Sequence, residues 1–199
     1  MTNLNSKALY LAAFLIFTLH YNLKAQVKTD TISRDYVITL KGDTVKGQVL
    51  WVSDGAVKID PFSETHSVKY KAADIKEACK TGEVYVPIKV SLTFRDIVIV
   101  KRLQHGVIDL YEYFQQNTTQ YGTASQSTWY AGKRGVAVTE IKTSGIGGMS
   151  RAERKKNFMA LISDNATLSS EFDSKKDYSF DYLADVIKRY NLQEIQKSK

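Results

Sequence analysis

Between Asp35 and Ile141 the chain is cut into short β-rich runs by turn residues that recur at close intervals, and this punctuation constrains the fold more than any other feature. Tyr36-Val37-Ile38-Thr39-Leu40 and the run Val45 to Val52 flank Lys41-Gly42-Asp43-Thr44, and Ser53-Asp54-Gly55 leads into Ala56-Val57-Lys58-Ile59. Asp-Gly between such runs is a strong hairpin signal, because both central residues of a type I′ turn need positive φ. The same grammar recurs at Thr81-Gly82, at Gln104-His105-Gly106 and at Gly132-Lys133-Arg134-Gly135, between runs at 74–78, 84–88, 97–100, 107–114, 128–131 and 136–141. About nine short strands with tight connections predict an antiparallel meander. No helix-length segment separates them, which argues against parallel βαβ units and the binding sites those units bring. Pro87 has no N–H to give a ladder and predicts an edge position or a bulge for its strand. So many strands curl or stack, and a curved sheet, an open barrel and a sandwich all fit the pattern.

The character changes at Thr143-Ser144-Gly145-Ile146-Gly147-Gly148, a flexible connector. Ser150-Arg151-Ala152-Glu153 is a capping box and starts a helix running to about Ile162, with Phe158, Leu161 and Ile162 on one face. A second helix is expected from Ala166 to Phe172. A third follows from Phe180 to Asn191, with Leu183, Val186, Ile187 and Tyr190 as its apolar stripe. The fold class is therefore α+β, an antiparallel β meander followed by a small C-terminal helical unit. Its divisions are a β-rich domain over 35–141, a connector over 142–149, a helical unit packed on the sheet over 150–192 and a tail over 193–199.

Ahead of this body, residues 1–25 have the order of an export signal. Lys7 precedes an uncharged apolar run from Ala8 to Leu19, and a polar exit leads to expected cleavage after Ala25. The apolar run is short against the roughly 20 residues of a membrane-spanning helix, so no transmembrane span is expected after cleavage. No cysteine stands near the cleavage point, which argues against lipoprotein attachment. Residues 26–34 then form a flexible N-terminus, and the location expected is periplasmic, outer-membrane-associated or secreted.

Composition narrows function mainly by exclusion. The 28 Lys and Arg against 21 Asp and Glu give a formal charge of +7, but the positive charges are dispersed. Only Arg151, Arg154, Lys155 and Lys156 form a tight group, best read as a solvated helix face, and no nucleic-acid partner is expected. The single cysteine, Cys79, excludes an intrachain disulfide and is expected as a quiet thiol on the strand face of Ile75 and Glu77. His66 and His105 lack the companions a metal site requires, and no cofactor is expected. His105, before Gly106, reads as a turn residue. No Gly-x-Ser-x-Gly elbow occurs.

Two features remain as candidate sites. A hydrolase built on two carboxylates needs them about 5 to 10 Å apart. Of Asp109, Glu112 and Glu140, the first two are three apart on a strand and point to opposite faces, leaving Glu112 with Glu140. The second is the uncharged polar stretch Gln115 to Ser127, read as a loop leading into Trp129-Tyr130. Amides, hydroxyls and rings suit sugars or peptides, so Tyr121, Trp129 and Tyr130 are the candidate ligand-binding residues, on the condition that the rings are exposed.

The Tyr36 to Gly47 segment with its Gly42-Asp43-Thr44 turn, the strand Ile108 to Tyr113, and the closing stretch from Leu161 through Asn191 together resemble a group of exported Bacteroidota proteins of uncharacterised function. That resemblance implies compartment and fold and no catalytic residue. It also implies O-glycan attachment at Asp-Thr-apolar sites, here Thr31 and Thr44. Asn117-Thr118-Thr119 and Asn165-Ala166-Thr167 fit the N-glycosylation pattern. The function expected is that of a non-catalytic binding or interaction module of the cell envelope, with an envelope protein or glycan as partner. The alternatives are a carboxylate-dependent envelope hydrolase and a scaffold subunit of an outer-membrane or secretion assembly.

Overall fold

The computed structural model describes residues 34–199 except 93, 94, 121, 147, 176, 198 and 199. The expected export signal and Thr31 lie outside the described residues. The strands are β1 (Tyr36–Thr39), β2 (Thr44–Val52), β3 (Ala56–Pro61), β4 (Val68–Lys71), β5 (Ile75–Lys80), β6 (Glu83–Leu92), β7 (Arg95–Gln104), β8 (Ile108–Thr119), β9 (Gly122–Lys133) and β10 (Thr139–Thr143). They form one open antiparallel sheet in the order β10-β9-β8-β7-β6-β5-β1-β2-β3-β4. The fold is α+β with a meander sheet, and the sheet does not close.

The meander is interrupted once. After β4 the chain passes through a 3-10 turn at Ala72–Asp74 and returns to the free edge of β1, where β5 pairs Cys79 with Tyr36 and Ala78 with Val37. A register shift opposite Ile38/Thr39 leaves Lys76 as an extra residue in β5, so Ile75 falls on the face of Ala78 rather than with Glu77 and Cys79. The alternation expected for Cys79 fails there because a bulge resets the side-chain parity. Cys79 itself is buried. β6 lies inside the sheet, yet its ladder to β5 stops at Tyr85, so Pro87 has a strand neighbour on the β7 side only and its missing N–H leaves no gap in a ladder.

Local chemistry accounts for the turns. Gly42 takes φ +97° between β1 and β2, with Thr39 N–H donating to Asp43 O at 2.9 Å. Gly47 follows because a Cβ there would stand 2.1 Å from Asp60 O on β3. Thr81 (φ 51°) and Gly82 (φ 85°) make the β5–β6 turn, and the buried Asp35 carboxylate ties it down by accepting from Thr81 N–H at 2.7 Å and from Val49 N–H at 3.1 Å. The Asp54-Gly55 turn departs from expectation, since neither residue has positive φ. Its carbonyls are instead drawn into tertiary bonds: Asp54 O accepts from Ile99 N–H of β7 at 2.8 Å and Gly55 O from Ala72 N–H at 2.9 Å. The tip of the β2–β3 hairpin is thereby docked against the middle of β7, which curls the sheet on itself.

Side-chain alternation distributes the core over three clusters. Val37, Val49, Val57, Ile59, Ile75, Ala78 and Ile99 fill the space inside the curl. Val86, Ile88, Val98, Val100, Tyr113 and Tyr130 lie on the opposite face. Ile108, Leu110, Trp129, Ala131 and Ile141 carry the helices α1 (Arg151–Ile162), α2 (Ala166–Ser174) and α3 (Phe180–Lys197). Both reciprocal bonds of the Ser150/Glu153 capping box are present. Leu183, Val186, Ile187 and Tyr190 of α3 are buried as their spacing requires, and the helix continues past Asn191 to Lys197. The outer edge of β10 is covered by side chains from the helical unit: Asn157 donates to Glu140 O at 3.1 Å and Tyr178 Oη to Ile141 O. Among the described residues no helix is long and apolar enough to cross a membrane.

Candidate functional site

β8 belongs to the sheet for only part of its length. Its ladder with β7 runs from Leu110 to Glu112, whereas its ladder with β9 continues to Thr119 opposite Gly122. β10 in turn pairs with β9 only from Thr128 to Ala131. The distal halves of β8 and β9 therefore project as a two-stranded ribbon, and from Tyr113 to Ala131 this segment contains no charged residue. The stretch Gln115 to Ser127 expected as a loop is a continuation of two strands. Alternating Thr, Ser and Gln supply β-compatible side chains without an apolar face, so the pattern looks like loop composition.

Where β8 leaves β7 a cleft of about 350 Å³ opens, lined by Val52, Ser53, Asp54, Tyr85, Ile99, Lys101, Glu112, Tyr113 and Phe114. The docked hairpin tip forms one wall, β7 the floor and the root of the ribbon the other wall. Lys101 and the Tyr85 hydroxyl both bond Glu83, the latter at 2.7 Å. The Lys101 hydrogen bond, then that of Tyr85, holds the Glu83 carboxyl below its usual range, and burial followed by Glu83 pushes the Tyr85 hydroxyl up to about 12. Glu112 accepts from Ser127 Oγ at 2.5 Å, and Gln115 Nε2 donates to Tyr113 Oη at 2.9 Å. The Phe114 ring, 58% exposed, stands at the rim. The cleft thus offers fixed carboxylates, a fixed cation and an aromatic edge above an apolar floor.

The sequence-derived candidates fall elsewhere. Trp129 is 9% exposed and packs edge-on against Phe180, with ring centroids 4.7 Å apart. Tyr130 is 6% exposed on the other face of β9, where burial and then Glu140 push its hydroxyl up to about 12. Both rings are buried, whereas the ligand-binding expectation for Trp129 was conditional on an exposed ring, and Tyr121 lies outside the described residues. Glu112 pairs across β8–β9 with Trp129, whereas Glu140 pairs with Tyr130, so these two carboxylates lie on opposite faces of the sheet. Glu140 is bound to Arg154. Asp109 is spent on the turn, accepting from Gly106 N–H at 2.9 Å and bonding His105 Nδ1 at 2.8 Å. Among the described residues no group of three or more His, Cys, Asp or Glu could hold a metal ion.

Thr44 opens β2 with an exposed side chain. Asn165, in contrast, is buried at 8% exposure as the N-cap of α2, accepting from Leu168 N–H at 3.1 Å and donating to Gln193 Oε1 at 2.6 Å, which removes it as a glycan acceptor. Ser53 and Asp54 of the cleft read in the sequence only as turn residues and Phe114 only as a strand residue, not as candidate site residues. Only the register that parts β8 from β7 brings them together. No family model matches the chain, and comparisons with curated proteins and with solved structures find no match.

Proposed function

We propose that this protein is a non-catalytic interaction module of the cell envelope, which captures an extended polypeptide segment by strand addition along the projecting β8–β9 ribbon. One observation carries the reading: the outer edge of β8 beyond Glu112 has no strand neighbour among the described residues, and the segment holds none of the charges or prolines by which exposed edges are usually blunted. A two-stranded ribbon is marginal in water by itself and gains most from a third strand. The cleft at its root supplies side-chain pockets for the incoming segment. Export to the envelope and O-glycosylation at Thr31 and Thr44 belong to the same proposal, supported by the leader-like N-terminus and the exposed Thr44 side chain.

The test replaces Gln116 to Ser125 by Asn-Gly, joining the cross-strand pair Gln115 and Gln126 through a two-residue turn. Affinity capture from envelope fractions is compared with the unaltered protein. A protein partner retained by the unaltered form and lost by the shortened one supports the reading; identical capture by both overturns it, and a captured glycan redirects it to sugar recognition. A second reading rests on Asp54 and Glu112 lining one cleft, since a carboxylate-dependent hydrolase of envelope polymers works with two such groups flanking the scissile bond. Turnover of a glycan or peptide substrate that Glu112→Gln abolishes would establish it.

A further inference from the structure

We propose that a pocket at the outer edge of β10, formed by Lys142, Thr143, Arg151, Arg154 and Tyr178, is an oxyanion site that takes a phosphate group. The pocket encloses about 180 Å³, room for one such group and too little for a polymer. It exists because β10 carries a bulge. Glu140 pairs with Tyr130 and Lys142 with Trp129, so Ile141 is an extra residue and Lys142 turns to the helix side of the sheet. There its ammonium lies 5.0 Å from the ring centroids of both Tyr178 and Phe180, while the Arg151 guanidinium sits 5.7 Å over Tyr178. Arg154, 8% exposed, completes the cluster from the next position round α1 and is braced by Glu140.

The carboxylates nearby are already committed. Glu140 holds Arg154. Glu153 accepts from Ser150 N–H at 2.8 Å in the capping box, and Asp177 bonds Ser179 through its backbone N–H at 2.9 Å and its hydroxyl at 3.1 Å. Lys142 makes no ion pair with any of them. Burial, then the neighbouring Arg151, lowers the Lys142 ammonium below its usual range, with Asp177 opposing and Arg154 adding to the effect. Arg151 and Arg154 also stand in the first turn of α1, where the helix dipole disfavours positive charge. A bound oxyanion relieves both strains, and guanidinium groups match its geometry with paired charge-assisted hydrogen bonds. The basic group read from the sequence as one solvated helix face is therefore divided: Lys155 covers Phe172, Lys156 is exposed, and the two arginines line the pocket with Lys142.

A phosphorylated lipid headgroup and a soluble phosphate ester present the same chemistry. Binding of inorganic phosphate is measured by calorimetric titration, and retention on phosphatidylcholine vesicles with and without phosphatidic acid by co-sedimentation. The proteins compared are the unaltered form, Lys142→Met, Arg151→Met, Lys142→Arg and Lys156→Met. The expected result is saturable phosphate binding that weakens at least tenfold in Lys142→Met and in Arg151→Met, survives in Lys142→Arg and is unchanged in Lys156→Met. Vesicle retention that requires phosphatidic acid and Lys142 assigns the headgroup, and phosphate binding without vesicle retention assigns a soluble ester. The proposal is overturned if neither probe binds saturably, or if Lys142→Met and Arg151→Met bind as the unaltered protein does. Arg151 is exposed and outside the core, so its variant decides the matter even where Lys142→Met unfolds.

Discussion

Asn191 of α3 and Ile108 of β8 bond each other as two strand residues would: Asn191 Nδ2 donates to Ile108 O at 2.8 Å, and Asn191 Oδ1 accepts from Ile108 N–H at 2.8 Å. Both residues are buried, at 7% and 0% exposure. A helix side chain thus completes the start of β8 and sets α3 on the sheet. Gly106 belongs to the same contact, since a Cβ there would stand 2.5 Å from Asn191 Cγ.

Asn191→Leu is expected to cost about 2–4 kcal/mol, because it buries an N–H and a C=O without partners. Gly106→Ala should lose stability by displacing the same side chain. Urea unfolding with the m-value held constant reads both, and a change under about 0.5 kcal/mol in Asn191→Leu would show that water replaces the amide.

Trp129→Ala should destabilise by about 3–5 kcal/mol, the usual cost of removing a large buried ring. Shortening the ribbon to Gln115-Asn-Gly-Gln126 should leave the thermal midpoint within about 2 °C, since the residues removed are outside all three core clusters. If the shortened protein unfolds with Trp129 intact, the ribbon is part of the folding unit and not an appendage for partners.

Thr81 is the one non-glycine residue at positive φ among those described, a poor conformation for a β-branched side chain. Thr81→Asn keeps the N–H that Asp35 accepts and suits the type I′ turn. It should gain about 0.5 kcal/mol, seen as a rise of roughly 1–2 °C in the midpoint. A fall would mean that the Thr81 hydroxyl bond to Lys80 O at 2.8 Å outweighs the strain.

Acid should separate two ion pairs. Arg189 donates to both oxygens of Glu171 at 2.7 and 2.9 Å, and this bonding holds the Glu171 carboxyl below its ordinary 4.5. Glu83 is lowered first by Lys101. A carboxylate depressed in the native state stabilises above its unfolded pKa, and that contribution is lost as pH falls through the native value. The stability difference between the unaltered protein and Glu171→Gln should therefore be constant from neutral pH to about 4.5 and shrink below it. Denaturation midpoints measured from pH 7 to pH 3 check the sign; a difference that widens on acidification would contradict it.

The order of elements was legible because the signals are local. Thr81-Gly82, Gly42-Asp43 and the Ser150/Glu153 box each act within a few residues, and the stripe of α3 needs only its own spacing. β4 carries no comparable local signal, because its alternation spans just Val68 and Tyr70. The candidate cleft was not legible at all: Asp54 enters it through a backbone bond to Ile99, and Glu112 enters it because the β7–β8 ladder stops there.

By itself, then, the sequence determined an antiparallel β-rich body with a capped helical end, since backbone propensity, turn geometry and side-chain period are properties of neighbouring residues. Tertiary structure alone decided that β5 returns to β1, that Trp129 and Tyr130 turn inward on opposite faces, and that a bulge aims Lys142 at Arg151. Each depends on register between distant segments, where a shift of one residue exchanges the two faces of a strand, and no local pattern carries that information.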